Sequence, residues 1–343
     1  MCRFVLSIVI PVYNNENEIS ETVAPFLKLK DSASELIFIN DGSTDNTELV
    51  LQKIKTDNPQ IAIRIYNQEN QGVSAARNKG IELSQGKYIY FCDADDLVDD
   101  SLVEKIYEKS ASECDIIFWK HNISRSSGVQ RLTYEEIEMD SAGTIVENEC
   151  LFGYVMNDKF RLCMGTYVVR KDLLIQNDIF FTQGCRYGED LEFIFKIILN
   201  ADKIRYIPEE LYTYIRREGS AMAQYTIKRF DAPQMVLRLI EYIDAGNIVI
   251  SDINRKYIQN DYFAKQFIYS VEFCLQFLTV SKFFALWGAL KKEYPNVIRE
   301  GKKVLKKISM DEIGYTQKRM YIMKCNLYVY SLCIMIKNSL KRK

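Results

Sequence analysis

The chain has 343 residues, enough for one large α/β domain with an appendage or for two modest domains. A hydrophobic content of 48% with 27% charged residues is ordinary for a folded protein and makes a folded chain the expectation. The formal net charge of −1 gives no global attraction to a polyanion, so no nucleic-acid partner is expected. From the amino end, short apolar runs alternate with helical patterns: 4–10 extended, 16–29 helical, 35–40 extended, 44–55 helical, 61–66 extended, 73–83 helical and 87–92 extended. Such alternation implies parallel strands joined by crossover helices, and these sheets bind ligands beyond the carboxyl ends of their strands. The first run is short, contains Pro11 and leads into Asn14 and Asn15 without a cleavage pattern, so it reads as a strand and the expected location is the cytoplasm.

Further along, 114–187 is mixed, with strands expected at 115–119 and 166–170. After Tyr225 the pattern is helical; Pro233 suits a helix start, with Met235, Leu239, Ile240 and Ile243 on one face. The domain change is placed near 220–230, giving a first domain of 1–224 and a helical region of 225–343. The most apolar later stretch, 273–290, contains Gln276 and Lys282, and a central Lys costs about 3 kcal/mol on insertion, so a buried helix is expected there. The nine cysteines show no C-x-x-C pair and suit buried thiols in a reducing compartment. His121 is the only histidine, which removes His-based triads and multi-histidine metal sites. The Tyr and Phe residues of 257–294 recur at helical spacing and read as core.

Four segments could carry chemistry. Asp93-Ala94-Asp95-Asp96 follows an apolar strand, and carboxylates so close together need a cation or water to offset their repulsion. Hard oxygen ligands suit Mg²⁺ or Mn²⁺ held jointly with substrate phosphates; an acidic loop before a helix capped by Asp99 or Asp100 fits equally well. Asp41 follows the second strand and could accept a hydrogen bond from a base or ribose, or bond its own turn, with Ser43 or Thr44 as a helix cap. Asn70 and Gly72 precede a helix start carrying Arg77, a pattern that suits an anion or a plain amphipathic helix. No G-x-G-x-x-G or P-loop pattern is present. Gly188-Glu189-Asp190 opens a further helix, where Asp190 is either a cap or a general base. Arg216 and Arg217 offer guanidiniums to a phosphate or to surface carboxylates.

Taken in order, Ser7-Ile8-Val9-Ile10-Pro11-Val12-Tyr13-Asn14, Asn40 to Asp45, Asn70 to Gly80, Asp93 to Asp96 and Gly188 to Asp190 resemble the family 2 glycosyltransferases, above all bacterial enzymes of capsule, exopolysaccharide and O-antigen synthesis. The resemblance covers about residues 4–220. It implies a GT-A fold, a Rossmann-like mixed α/β sheet flanked by helices, with a nucleotide-binding half (1–113) and an acceptor-binding half (114–224). It implies an inverting, metal-dependent hexosyl or N-acetylhexosaminyl transfer from a nucleotide-sugar donor, a UDP-sugar by the same resemblance, to a glycan or polyprenyl-linked saccharide. By resemblance, Pro11, Val12, Tyr13, Asn14, Asp41, Asn70, Gly72, Arg77, Asp93 and Ala94 lie on the nucleotide, Asp95 on the Mn²⁺ or Mg²⁺, and Asp190 is the base with Glu189 beside it. The Q-x-x-R-W motif of processive synthases is missing, which points to one sugar per encounter. A nucleotidyltransferase and a catalytically silent binding protein are the competing readings; the Gly188-Glu189-Asp190 helix start speaks against the first, and Asp41, Asp95 and Asp190 together against the second.

At the carboxyl end, Lys302, Lys303, Lys306 and Lys307 are followed by Lys318, Arg319 and Lys324, an apolar run at 327–336, and Lys337, Lys341, Arg342 and Lys343. Such a tail can lie on an anionic membrane at the cytoplasmic face or pack on the catalytic domain with its basic face in water; both readings stand.

Overall fold

A computed structural model describes residues 3–29, 33–111, 113–125, 128–132, 134, 144–145, 148–216, 225–246, 248–277 and 280–307. Arg217 and the tail beyond 307 lie outside the described residues. The chain divides into two compact units, Met1–Gly184 with Phe193–Ser220, and Cys185–Glu192 with Ala221–Lys343.

In the first unit β1 (Phe4–Val12), α1 (Ile19–Leu27), β2 (Ser34–Asp41), α2 (Thr47–Asp57), β3 (Ala62–Gln68), α3 (Val73–Leu83) and β4 (Gly86–Phe91) follow the expected alternation. Next come β5 (Leu97–Val98), α4 (Leu102–Ser110), β6 (Ile116–Arg125), β7 (Gly128–Arg131), β8 (Thr144–Ile145), α5 (Asn148–Met156), β9 (Tyr167–Arg170) and α6 (Lys171–Gln176). After these lie α7 (Glu189–Asn200), whose first turn is grouped with the second unit, and β10 (Ile204–Ile215). One sheet runs β3-β2-β1-β4-β9-β6-β10-β5, with β7 on β6 and β8 on β10.

β1 to β4 are parallel, β9 is antiparallel to both β4 and β6, and β10 is parallel to β6. The sheet is therefore mixed. Strand order reverses between β1 and β4, which makes their carboxyl ends a topological switch point. Both faces of β1 are buried, so it reads as one apolar run. Leu6, Ile8 and Ile10 join Val23 and Phe26 of α1 and Ile106 of α4 in the core. On the opposite face Val9 meets α3 at Gly80, where an added Cβ would lie 2.1 Å from the valine methyl.

β10, twelve residues long, was not expected from the sequence. Pro208, Glu209 and Glu210 interrupt its apolar pattern, and its pairing with β6 shifts register on both sides of Glu210. A bulge absorbs the residue that cannot donate to the ladder. Two helices also start later than their periodicity suggested, at Ile19 and Thr47, because the residues before them bond to neighbouring loops.

In the second unit α8 (Asp231–Ala245), α9 (Asp252–Tyr257), a π-helical turn (Ile258–Tyr262), α10 (Phe263–Phe277), α11 (Val280–Glu293) and α12 (Pro295–Lys307) follow one another. Pro233 stands in the first turn of α8, and Met235, Leu239 and Ile243 are buried as expected, while Val236 is buried and Ile240 only half-buried. Among the described residues no helix is long and apolar enough to cross a membrane.

Candidate functional site

Polar residues crowd the loops at the carboxyl ends of β1, β2 and β3, and long-range hydrogen bonds stitch these loops together. After β1, Asn14 turns with φ +54°, its amide donates to Ser43 Oγ (3.0 Å), and its side-chain oxygen accepts from the Thr44 amide (2.8 Å). The Asn15 amide donates to Thr47 Oγ1 (2.9 Å), and Glu16 accepts from the Asn46 amide (2.9 Å). Asn40 bridges onward, accepting from the Ser43 amide (3.1 Å) and donating to Asn67 Oδ1 (3.0 Å). Ser43 and Thr44 therefore link loops and do not cap α2; the Thr47 amide is met by Asp45 Oδ1 at 3.0 Å. Asp99 likewise turns the chain ahead of α4, accepting from the Ser101 amide (2.9 Å).

Asp41 is buried and locks the loop leading into α3. Its Oδ1 accepts from Gln68 Nε2 (2.8 Å) and the Gln71 amide (2.9 Å), and its Oδ2 from the Gly72 amide (2.8 Å). The anion at the start of α3 is thus the protein's own carboxylate. Gly42 (φ +73°) lets Asn70 approach, since an added Cβ would stand 2.8 Å from the Asn70 amide nitrogen. Gly72 (φ +87°) then turns the chain into the helix. In the next turn the Ser74 hydroxyl is buried with no hydrogen-bond partner among the described residues. Pro11 and Val12 end β1 as buried residues, whereas the Tyr13 ring is half exposed beyond the strand.

Arg77 is buried, 4% exposed, and sits below the acidic loop. Its Nη2 donates to Asp93 Oδ1 at 2.7 Å and its guanidinium lies 5.4 Å from the Phe181 ring centroid. Phe181 is held on α3 by a reciprocal pair with Asn78 (2.8 and 2.9 Å) and stacks on Phe193 at 4.0 Å. Arg77 therefore orients Asp93 from beneath, a different placement from an exposed phosphate donor.

The four residues after β4 have separate environments. Asp93 and Asp95 are half-buried, Ala94 is buried with its carbonyl accepting from Thr22 Oγ1 (3.0 Å), and Asp96 is buried. Burial, followed by the nearby Asp93 charge, raises Asp96 to about 8 against hydrogen bonds that favour its anion. Those bonds come from the Tyr212 hydroxyl and from the Ile215 amide (2.7 Å), so Asp96 fastens the loop to β10. Gly165 makes room for Tyr212, because an added Cβ would fall 1.9 Å from the ring. Its carbonyl also accepts from Trp119 Nε1 (3.1 Å) and Tyr90 (3.2 Å). Among the described residues no three Asp, Glu, His or Cys side chains converge on a metal position. Asp93 and Asp95 suit a hard cation completed by oxygens of a bound ligand, not one caged by protein.

Arg216 follows β10 with an exposed side chain, its amide donating to Ser124 O (2.9 Å). In the second unit, Gly188 (φ +86°) precedes α7, and Glu189 and Asp190 occupy its first two positions, half-buried. Asp190 Oδ1 lies 2.7 Å from the Leu191 amide, and the Glu192 amide closes the first turn on Gly188 O (2.9 Å). His121 is a core residue of β6 bonded to Tyr134 (3.0 Å). Asn15, Asn40, Asn67, Gln68 and Tyr212 received no site role from the sequence, although the first three lie in the strand-end loops and motifs it singled out. What the strand-end position could not supply was their partners, which lie on other loops.

The chain and its fold have known counterparts. The Glycosyl transferase family 2 model matches residues 7–168. Glycosyltransferase GlyG of Streptococcus pneumoniae is 31% identical over 233 residues, covering 63% of this chain and 72% of GlyG. The crystal structure of Staphylococcus aureus TarS 1–349 in complex with UDP-GlcNAc superposes with a TM-score of 0.68 at 18% identity, covering 98% of this chain and 89% of that one. Mannosyltransferase PcManGT of Pyrobaculum calidifontis, in complex with GDP-Man and Mn²⁺, gives a TM-score of 0.51 at 13% identity, covering 98% and 88%. With an apolar parallel half-sheet ending in these polar loops, and with these relatives, the chain belongs to glycosyl transferase family 2 and is a glycosyltransferase of the GT-A fold.

Proposed function

We propose that the protein transfers one sugar per encounter from a UDP-sugar to a hydroxyl of a glycan or polyprenyl-linked saccharide, in the assembly of a cell-surface polysaccharide. The observation that carries this reading is the stitched rim of β1, β2 and β3, where buried Asp41 rigidifies the loop before α3 while the Tyr13 ring stays exposed. A nucleotide needs such a preformed polar rim with an aromatic face beside it. The TarS complex contains UDP-GlcNAc, which supports uridine as the base and an N-acetylhexosamine among the candidate sugars.

Asp93, oriented by Arg77, faces the ribose side of the donor, and Asp95 takes the Mn²⁺ or Mg²⁺. When bound, the metal supplies positive charge against the charge growing on the departing diphosphate. Asp190 accepts the proton of the attacking hydroxyl, with Glu189 beside it. A single displacement inverts the anomeric centre, so an α-linked donor gives a β-linked product.

A thermal-shift panel of uridine, guanosine and thymidine diphosphate sugars, each with and without Mn²⁺, tests the donor assignment. One donor class should stabilise the protein in a metal-dependent way, and Asp95→Ala should lose that dependence. No shift with any donor on folded protein would count against the UDP-sugar assignment or mean that the acceptor must bind first. Asp190→Asn should lower turnover about 10²–10⁴-fold with donor binding kept; loss of donor binding together with turnover would remove Asp190 from the role of base.

A further inference from the structure

The segment Cys185–Glu192 carries Glu189 and Asp190, and side chains from the start of the carboxyl-terminal helices grip it at both ends. At its amino end the Arg186 amide donates to Asp231 Oδ2 (2.9 Å), and the other Asp231 oxygen accepts from the Tyr294 hydroxyl (2.6 Å). At its carboxyl end Glu192, 2% exposed, accepts from both Nε (2.9 Å) and Nη2 (2.7 Å) of Arg238. The same guanidinium reaches back to Cys185 Sγ at 3.4 Å. Between the two anchors, the Arg229 guanidinium lies 4.1 Å from the Tyr187 ring centroid and 3.8 Å from that of Phe273. Gly188 lies against α8, where an added Cβ would be 3.4 Å from Ala232 and 3.5 Å from Met235.

Buried charges of this kind contribute little net stability compared with apolar residues of the same volume. What they supply is direction, since a bidentate guanidinium fixes the carboxylate it holds, and with it the first turn of α7. A base must be held within about 0.5 Å of its productive position.

On the reading of Asp190 as the base, we propose that Asp231 and Arg238 are positioning residues for it, and that the carboxyl-terminal helices serve transfer by holding the base-bearing segment. Neither residue touches the reacting atoms. Their contribution is to keep Asp190 in one place.

Arg238→Met and Asp231→Asn, made in the full chain, are compared with Asp190→Asn and the milder Glu192→Gln by hydrogen exchange over 185–192 and by release of UDP from UDP-GlcNAc. Exchange in that segment should rise at least about tenfold in the anchor variants, and kcat for UDP release should fall about 10²-fold. KM for UDP-GlcNAc should stay unchanged, and Arg238→Lys should recover part of the loss. Unchanged exchange in the segment overturns the proposal, and so does faster exchange with wild-type kcat. If the wild-type chain does not turn over UDP-GlcNAc, exchange decides: an increase confined to 185–192 supports the anchoring, and no increase overturns it. Should Arg238→Met fail to fold, Glu192→Gln gives the same comparison with shape retained. Wild-type turnover in Asp190→Asn, with the anchor variants still showing faster exchange, would reject the base and keep the anchors.

Discussion

At the scale of single residues, the site separates carboxylates by what already surrounds them. Asp41 accepts three hydrogen bonds and Asp96 two, while Asp93 and Asp95 remain half-buried. The first two hold loops, and the second two keep part of their surface open to solvent. Asp41→Asn keeps the shape but puts an amide NH₂ where an oxygen accepted backbone protons. We expect a loss of about 1–3 kcal/mol in denaturant unfolding and a smaller donor-induced thermal shift. Undiminished donor stabilisation in this variant would show that the loop before α3 needs no clamp.

At the scale of elements, a buried network joins the amino ends of the strands, at the opposite edge from the site. Glu35 on β2 is 1% exposed; it accepts from Ser7 of β1 (2.6 Å), from Arg64 of β3 (2.6 Å) and from the Gln85 amide just before β4 (2.6 Å). One carboxylate thus ties four parallel strands in register. Glu35→Ala leaves buried donors without an acceptor and should cost about 3 kcal/mol, seen as a lower urea midpoint. A change below about 0.5 kcal/mol would mean that strand register is set by the apolar faces alone.

The same elements show what the sequence makes legible. β1 to β4 and their helices were readable because each is a local pattern of one period: β1, β2 and β4 are largely apolar runs, β3 alternates, and Asn, Asp or Gly punctuate them. β10 was not, since Pro208 and the bulge break its period while β6 supplies its partner from about ninety residues upstream. Likewise Asp93 and Asp95 could be picked out by position after a strand. The duties of Arg77 and Asn40 could not, because their partners lie 16 and 27 residues away. The grouping of Cys185–Glu192 with the carboxyl-terminal helices was equally hidden, for its contacts on Asp231 and Arg238 span 45 and 46 residues.

At the scale of the whole molecule, two buried groups should pull the pH dependence of stability in opposite directions: Asp96, raised to about 8 by burial, favours the folded state as pH falls, and His121 opposes it. Burial, with the Arg161 charge adding to it, lowers His121 to about 4, whereas the unfolded chain takes up its proton near 6.5. The unfolded state therefore binds the proton first. The stabilisation from this neutral imidazole is complete above pH 6.5 and is lost as pH falls through 4, about 3 kcal/mol in all. His121→Gln should make the slope of stability against pH less positive between those limits, read as the difference between variant and wild type in urea unfolding at fixed ionic strength; an unchanged slope would show that His121 carries the same charge in the folded and unfolded states.

The segment that bears Asp190 precedes in the chain the residues that hold it. Glu192 leaves the ribosome 46 residues ahead of Arg238, an interval of about 2–9 s at ordinary elongation rates. During synthesis the strands and loops of the stitched rim are complete before this anchor exists. A nascent chain therefore completes the stitched loops after β1, β2 and β3 before the side chains that anchor Cys185–Glu192 have been made, so this segment is the later of the two to be fixed in place.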